Sequence, residues 1–267
     1  MGVNSALSVV LRGVRQAWQA GLDLLFPRGC AACDTPLPLP AAVFCEACRA
    51  TLQPLRSDFI CARCALPRSD PQAIQRLRLG SRVYACCVRC EPWPDALSRL
   101  HAPLEYGGAL ADAIIRCKWQ ARVDLIDPLA SLLVPSLRPL LVGIDCVVPV
   151  PLHGTRLRQR GFNQATLLAR AALQGCGLSR TAVRGLLQPH ILRRTRPDPP
   201  AKRARIAERQ ARTHGAFSVA SAVSLRGRHV LILDDVVTTG ATVLACAQAL
   251  RAAGATHVDA LALARVT

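Results

Sequence analysis

The sequence predicts an α/β protein: a parallel sheet with helices on both faces, preceded by a small cysteine-rich module. Three observations carry this. From about Leu100 onward, short apolar runs alternate with amphipathic helical segments. Upstream of that point lie four C-x-x-C pairs. Further on, His229 to Asp234 is a continuous apolar run that closes on paired acids, the pattern of a central parallel strand.

Composition bounds the answer. At 267 residues the chain is long enough for two domains. An apolar content of 51% excludes wholesale disorder. No stretch approaches the roughly 20 apolar residues of a membrane span; the best, Leu140 to Leu152, is cut by Gly143 and Asp145. Thirty-four Lys and Arg against seventeen Asp and Glu give a net charge of +17, which draws the chain to polyanions. Only Lys118 and Lys202 are lysines. Such a skew is also what a GC-rich genome produces at neutral surface positions, so charge alone does not define a site.

Residues 1–26 read as an amphipathic helix, with Leu7, Leu11, Val14, Trp18, Leu22 and Leu25 at three- and four-residue steps. Arg12 and Arg15 interrupt it, and no continuous apolar core precedes a cleavage site. The expectation is a docking helix of a cytoplasmic protein. Peripheral contact with the inner face of the membrane is the alternative.

Residues 27–98 form the cysteine module. Its pairs are Cys30 and Cys33, Cys45 and Cys48, Cys61 and Cys64, Cys87 and Cys90. Two thiolates three residues apart on a tight turn can share one ion at about 2.3 Å, and two such knuckles complete a tetrahedron. Sequential pairing predicts two structural zinc sites: Cys30, Cys33, Cys45 and Cys48, then Cys61, Cys64, Cys87 and Cys90. Disulfides are disfavoured without a secretion signal. A redox motif calls for one exposed pair rather than four; iron–sulfur is the lesser metal alternative. Four thiolates leave no coordination position open for catalysis. Cys86 stands outside the spacing. Cys117, Cys146, Cys176 and Cys246 are scattered in apolar settings and read as small buried hydrophobes.

Residues 99–267 form the second module. Gly108 to Trp119 and Leu125 to Leu137 read as helices, and Cys146 to Val150 as a buried strand running into a proline-rich turn. Asn163 to Leu173 is helical. Thr242 to Ala253 is a helix closed by Gly254, and Val258 to Ala264 is the last strand.

The strongest motif follows the strand that starts at His229. Two acids, Asp234 and Asp235, close it; then Thr238, Thr239, Gly240, Ala241 and Thr242 open a helix. Backbone N–H groups and hydroxyls at a helix N-terminus cradle phosphate, and glycine lets the backbone approach the anion. Paired acids beside a phosphate suit ribose hydroxyls or a bridging Mg²⁺.

The run Val230 to Thr242 resembles the phosphoribosyl-pyrophosphate (PRPP) signature of type I phosphoribosyltransferases. The resemblance implies that Asp234 and Asp235 bind ribose hydroxyls, that residues 238–242 bind the 5-phosphate, and that Mg²⁺ accompanies PRPP. With Val148-Pro149-Val150-Pro151-Leu152-His153, Arg160-Gly161-Phe162-Asn163-Gln164, Tyr106-Gly107, Lys118-Trp119 and the cysteine knuckles, nearly the whole chain resembles the ComF/GntX family of competence-type proteins. That resemblance implies a phosphoribosyltransferase-like fold behind a double zinc ribbon. It also implies uptake or processing of external DNA, alongside a helicase-like ATPase and recombination mediators.

Val150 and Pro151 then stand where a pyrophosphate loop would lie. Arg156, Arg158 and Arg160 follow, with no acid between Asp145 and Asp198, and serve pyrophosphate or DNA. Arg184 to Arg212 carries nine basic residues against two acids and reads as a flexible lid. Three functions stay open: an active phosphoribosyltransferase on a nucleobase-like acceptor, a scaffold that binds PRPP-like ligands and single-stranded DNA, and a PRPP-sensing regulator that binds nucleic acid. An aromatic content of 4% argues against a stacking groove, so DNA contact is expected to be mostly electrostatic.

Overall fold

The computed structural model describes residues 29–37, 42–55, 60–67, 75–79, 82–197, 215–220 and 223–267. The expected helix over residues 1–26, and residues 198–214 of the expected lid, lie outside them.

The cysteine module contributes a short helix α1 (Glu46–Ala50) and an antiparallel hairpin of β1 (Gln75–Leu79) and β2 (Arg82–Cys86). There follow β3 (Arg99–His101), β4 (Leu104–Glu105), α2 (Gly108–Trp119), a 3₁₀ turn (Val123–Leu125), α3 (Ile126–Ser131), α4 (Val134–Leu140) and β5 (Cys146–Pro149). Next come α5 (Gly154–Arg160), α6 (Gln164–Gly175), α7 (Arg180–Leu186), β6 (Leu192–Arg194), β7 (Phe217–Val219), β8 (His229–Val237), α8 (Ala241–Ala252) and β9 (His257–Arg265). The main sheet is parallel, in the order β3-β9-β8-β5, with β4 also pairing β9. β6 and β7 form a separate antiparallel pair.

Strand periodicity builds the two faces. Val230 and Ile232 of β8 join Val258 and Ala260 of β9 beneath Val243, Cys246 and Leu250 of α8. Leu231, Leu233, Leu261 and Leu263 point the other way, onto Leu110 and Ile114 of α2, Leu129 of α3 and Leu168 of α6. Both faces are covered, which is why β8 reads as an unbroken apolar run. α6 starts where the Asn163 side chain accepts a hydrogen bond from the Ala165 N–H at 3.0 Å. α8 is followed by Gly254 at φ +101°, the left-handed conformation that glycine supplies after a helix.

The cysteine module clasps this sheet. Cys30, Leu37 and Phe44 pack into the face beneath α2 and α3, whereas Cys61, Cys64, Leu66, Cys90 and Trp93 pack into the face beneath α8. Between them the chain hydrogen-bonds along the β3–β4 edge: Leu55 N–H to Pro103 O at 2.9 Å, Glu105 N–H to Gln53 O at 2.8 Å and Leu100 N–H to Arg63 O at 2.8 Å.

Two expectations are corrected. The single helix over Leu125 to Leu137 is a 3₁₀ turn and two short helices. Pro135 is the cause: its ring collides with the carbonyl four residues back, and α3 stops at that residue, Ser131. β8 does not close on the paired acids but runs on past them to Val237. Among the described residues no helix is long and apolar enough to cross a membrane.

Candidate functional site

Zinc bound to sulfur at about 2.3 Å in a tetrahedron sets sulfur–sulfur edges of about 3.8 Å. Cys33 Sγ lies 3.7 Å from Cys45 Sγ and 3.6 Å from Cys48 Sγ. Cys61 and Cys90 are 3.6 Å apart, Cys64 and Cys87 3.6 Å, Cys87 and Cys90 3.8 Å. Within each of the two groups all four sulfurs lie within 4.8 Å of one another. Both groups fit a structural zinc ion, in the sequential pairing, and Cys86 is buried outside them.

The two knuckles are copies of one turn. Cys30 N–H donates to Thr35 O and Asp34 N–H to Cys30 O; Cys61 N–H donates to Leu66 O and Ala65 N–H to Cys61 O. Asp34 and Ala65 occupy the same position after the second cysteine, with φ of 60° and 57°. Their surroundings differ. The first group opens on solvent at Cys33 and is tied to α2 by Arg116, which donates to Ala31 O at 3.0 Å and pairs with Asp34. In the second, Cys61, Cys64 and Cys90 are at most 2% exposed.

The paired acids lie at the carboxyl end of β8, in the middle of the sheet. Asp234 Oδ1 accepts from Asp235 N–H at 2.9 Å, and Asp235 Oδ1 from Val236 N–H at 2.7 Å. Lys118 Nζ at the end of α2 lies 2.8 Å from Asp235 Oδ2. Asp234 is enclosed. Burial, then the neighbouring Asp235 charge, pushes its carboxyl up to about 8, against the opposing pull of Lys118 and Arg194. The buried thiols of Cys117 and Cys146 are likewise pushed up, to about 11, by burial. With Cys246, also buried, they fit the reading of small hydrophobes, whereas Cys176 is half-buried.

After Val237 the chain turns through Thr238 and Thr239 to Gly240, at φ +86°. Thr239 Oγ1 accepts from Ala241 N–H at 3.3 Å, so a hydroxyl already serves the start of α8, beside Thr242. A side-chain carbon at Gly240 would stand 2.6 Å from Trp93 Cζ2, so the loop is packed directly against the end of the cysteine module. Arg265, 2% exposed, reinforces that junction: its Nε donates to Cys64 O at 3.1 Å and its Nη1 to Val237 O at 3.1 Å. Arg63, fully buried within the second knuckle, donates to the carbonyls of Cys90, Trp93 and Pro94.

Val150 and Pro151 leave the sheet beside the acids, since Val150 N–H donates to Leu233 O at 2.9 Å. Asn163 Nδ2 donates to Val150 O at 3.0 Å and holds the turn to α6. On α5, Arg156 and Arg160 are four residues apart and share a face, whereas Arg158 projects elsewhere and reaches back within 3.4 Å of where a Gly154 side chain would begin. Arg160 lies over the Trp119 ring, 5.1 Å from its centroid.

Lys118, Trp93, Arg63 and Arg265 were absent from the expected site, and Arg194 was expected only as part of the basic lid. Lys118 carried a usable signal, as one of two lysines in an arginine-rich chain. The others meet their partners only through the fold.

Known families match both modules. Residues 194–266 match the family described as Phosphoribosyl transferase domain, and residues 21–91 the Double zinc ribbon domain. The chain is 31% identical over 252 residues to the DNA utilization protein YhgH of Salmonella typhimurium, covering 91% of this chain and 99% of that protein. It is 28% identical over 185 residues to Competence protein F of Haemophilus influenzae, covering 67% of this chain and 76% of that protein. Competence protein ComFC of Bacillus subtilis is 26% identical over 234 residues, 85% of each. The likeness runs along nearly the full length of YhgH and takes in both a phosphoribosyltransferase domain and a double zinc ribbon in this chain, which therefore belongs to the ComF/YhgH family of phosphoribosyltransferase-domain proteins with a double zinc ribbon.

Proposed function

We propose that this chain binds a PRPP-like phosphoribosyl ligand and single-stranded DNA, and acts in the cytoplasm in DNA uptake and natural transformation. The observation that carries the ligand reading is the end of β8: two buried carboxylates followed by a threonine-rich loop whose glycine opens α8. Asp234 and Asp235 offer acceptors for ribose hydroxyls. Residues 238–242 offer N–H and hydroxyl donors to a 5-phosphate. Val150 and Pro151 stand beside them for the pyrophosphate. Mg²⁺ fits as an ion brought in on that pyrophosphate, since the site supplies only the two carboxylates and no closed cage of oxygens. The names of the relatives support the DNA role, and the charge of +17 with an acid-free arginine stretch supports contact with a phosphate backbone. A helicase-like ATPase and recombination mediators are the partners this role calls for.

PRPP with Mg²⁺ should raise the melting temperature, because a ligand that binds only the native state stabilises it. No shift at millimolar PRPP would remove the ligand reading. DNA affinity should fall steeply with salt. Each phosphate contact contributes about −0.7 to the slope of log K against log salt for single strands, so five contacts give about −3.5. Replacing Arg156, Arg158 and Arg160 with alanine should flatten the slope by about 2. If that variant instead loses PRPP binding with its DNA slope unchanged, the arginines serve pyrophosphate alone. An active phosphoribosyltransferase then becomes the better reading.

A further inference from the structure

We propose that Trp119 and Arg160 form a stacking platform for one base of a single-stranded nucleic acid, on the helix end that reaches the phosphoribosyl site. This deepens the reading above and rests on it. Trp119 is 69% exposed, and among the described residues it is the one Phe, Tyr or Trp side chain left open to solvent. Large apolar rings are normally buried, and here Phe44, Trp93 and Phe217 are. The exposed ring is also held in place. Arg160 covers one side at 5.1 Å from the centroid, and Arg160 Nη1 donates to Gln164 Oε1 at 2.6 Å, so the guanidinium is itself anchored on α6. A cation over an indole fixes both groups, and the ordering cost of binding is then largely met in advance.

Position supplies the ligand class. Trp119 directly follows Lys118, whose ammonium lies 2.8 Å from Asp235, so the ring is carried by the end of α2 that reaches the carboxylates placed for ribose. Arg160 ends the helix that also carries Arg156 on the same face, so phosphate-binding charge borders the ring on that side. A planar π surface between a basic helix and a sugar site fits a nucleotide unit: phosphate on the arginine helix, base on the indole. Every base has a π face, so such contact is tolerant of sequence. The low aromatic content of the chain is consistent with one platform rather than a groove.

The test uses the full zinc-loaded chain and two fluorescein-labelled strands of equal length and charge, one of thymidine and one wholly abasic, with fluorescence anisotropy as the readout. The parent protein should bind the thymidine strand about tenfold more tightly than the abasic one. Trp119→Ala should erase that difference and leave abasic-strand affinity unchanged; Trp119→Phe should keep most of it. Equal losses on both strands, no preference in the parent, or no binding to either would overturn the platform. Competition by free thymidine at the strand's own concentrations would assign the ring to a soluble acceptor and overturn the strand reading. The melting shift with PRPP–Mg²⁺, measured on the same proteins, reports separately on the phosphoribosyl site, and Trp119→Ala should retain it.

Discussion

Cys90→Ser should unfold the protein at physiological temperature, while Cys33→Ser should leave it folded with its first zinc site depleted. Both changes remove one thiolate from a four-cysteine group, yet the groups differ in what depends on them. Cys90 has no exposure, and its sulfur sits among Cys61, Cys64 and Trp93 in the core beneath α8. Without the ion the remaining buried thiols reprotonate, the cross-link between the knuckles is lost, and the buried Arg63 guanidinium is left without the negative thiolate cluster beside it. The cost should exceed about 4 kcal/mol, the range reached when a metal site is lost, against a total stability of about 5–15 kcal/mol. Cys33 is exposed, and its group touches the sheet mainly through Cys30, Leu37 and Phe44. Thermal melting and elemental analysis decide the matter. The parent should hold two zinc ions, one per group. A Cys90→Ser protein that melts with the parent, or iron in place of zinc, would reject the assignment. Any Cys90→Ser protein that survives should also bind PRPP poorly, since Trp93 would no longer back Gly240.

Asp234→Asn should abolish the PRPP-induced melting shift and yet make the unliganded protein more stable at alkaline pH. The Asp234 carboxyl titrates higher in the folded chain than the usual carboxylate value near 3.8, because burial and Asp235 disfavour its charge. Between those two values the native state holds a proton that the unfolded chain releases. Stability therefore falls as pH rises across that window, and the loss is complete above about 8. Asparagine does not ionise and removes the loss. The variant's advantage should be absent near pH 4 and grow to a few kcal/mol at pH 8, on the scale of about 1.4 kcal/mol per pH unit. Urea denaturation across that pH range measures it. A variant less stable than the parent at pH 8 would show that the enclosed carboxyl is not under electrostatic stress. Such a stressed acid at a proposed ligand site is an instance of stability given up for binding.

Much of the site could be read from local pattern. The C-x-x-C spacing defines each knuckle because both ligands lie on one turn, and the zinc grouping follows from order along the chain. The apolar run into Asp234 and Asp235, with Gly240 after it, is legible because strand, loop and helix are consecutive. The junctions between modules were not legible. Lys118 reaches Asp235 from a different element, Trp93 backs Gly240 from another module, and Arg265 bridges Cys64 and Val237; none has a periodic or spacing signature. Pro135 was visible, but the apolar steps from Leu125 to Leu137 outweighed it in the expectation of one helix. At Pro135 a ring with no N–H ends the helix before it despite the amphipathic pattern beyond.

The bond from Arg265 to Cys64 spans 201 residues, and that separation constrains biosynthesis. β3 joins the sheet only through β9, so the edge against which the cysteine module packs does not exist until β9 has been made. At roughly 5–20 residues per second, the ribosome needs about 10–40 s between the second knuckle and β9. Throughout that interval the nascent cysteines have no sheet to shelter them. Captured metal is then what holds the knuckles together, because zinc binding and knuckle folding are a single event. A cell short of zinc should therefore lose this protein during translation, through oxidation or proteolysis of the emerging module, before the phosphate site has been synthesised.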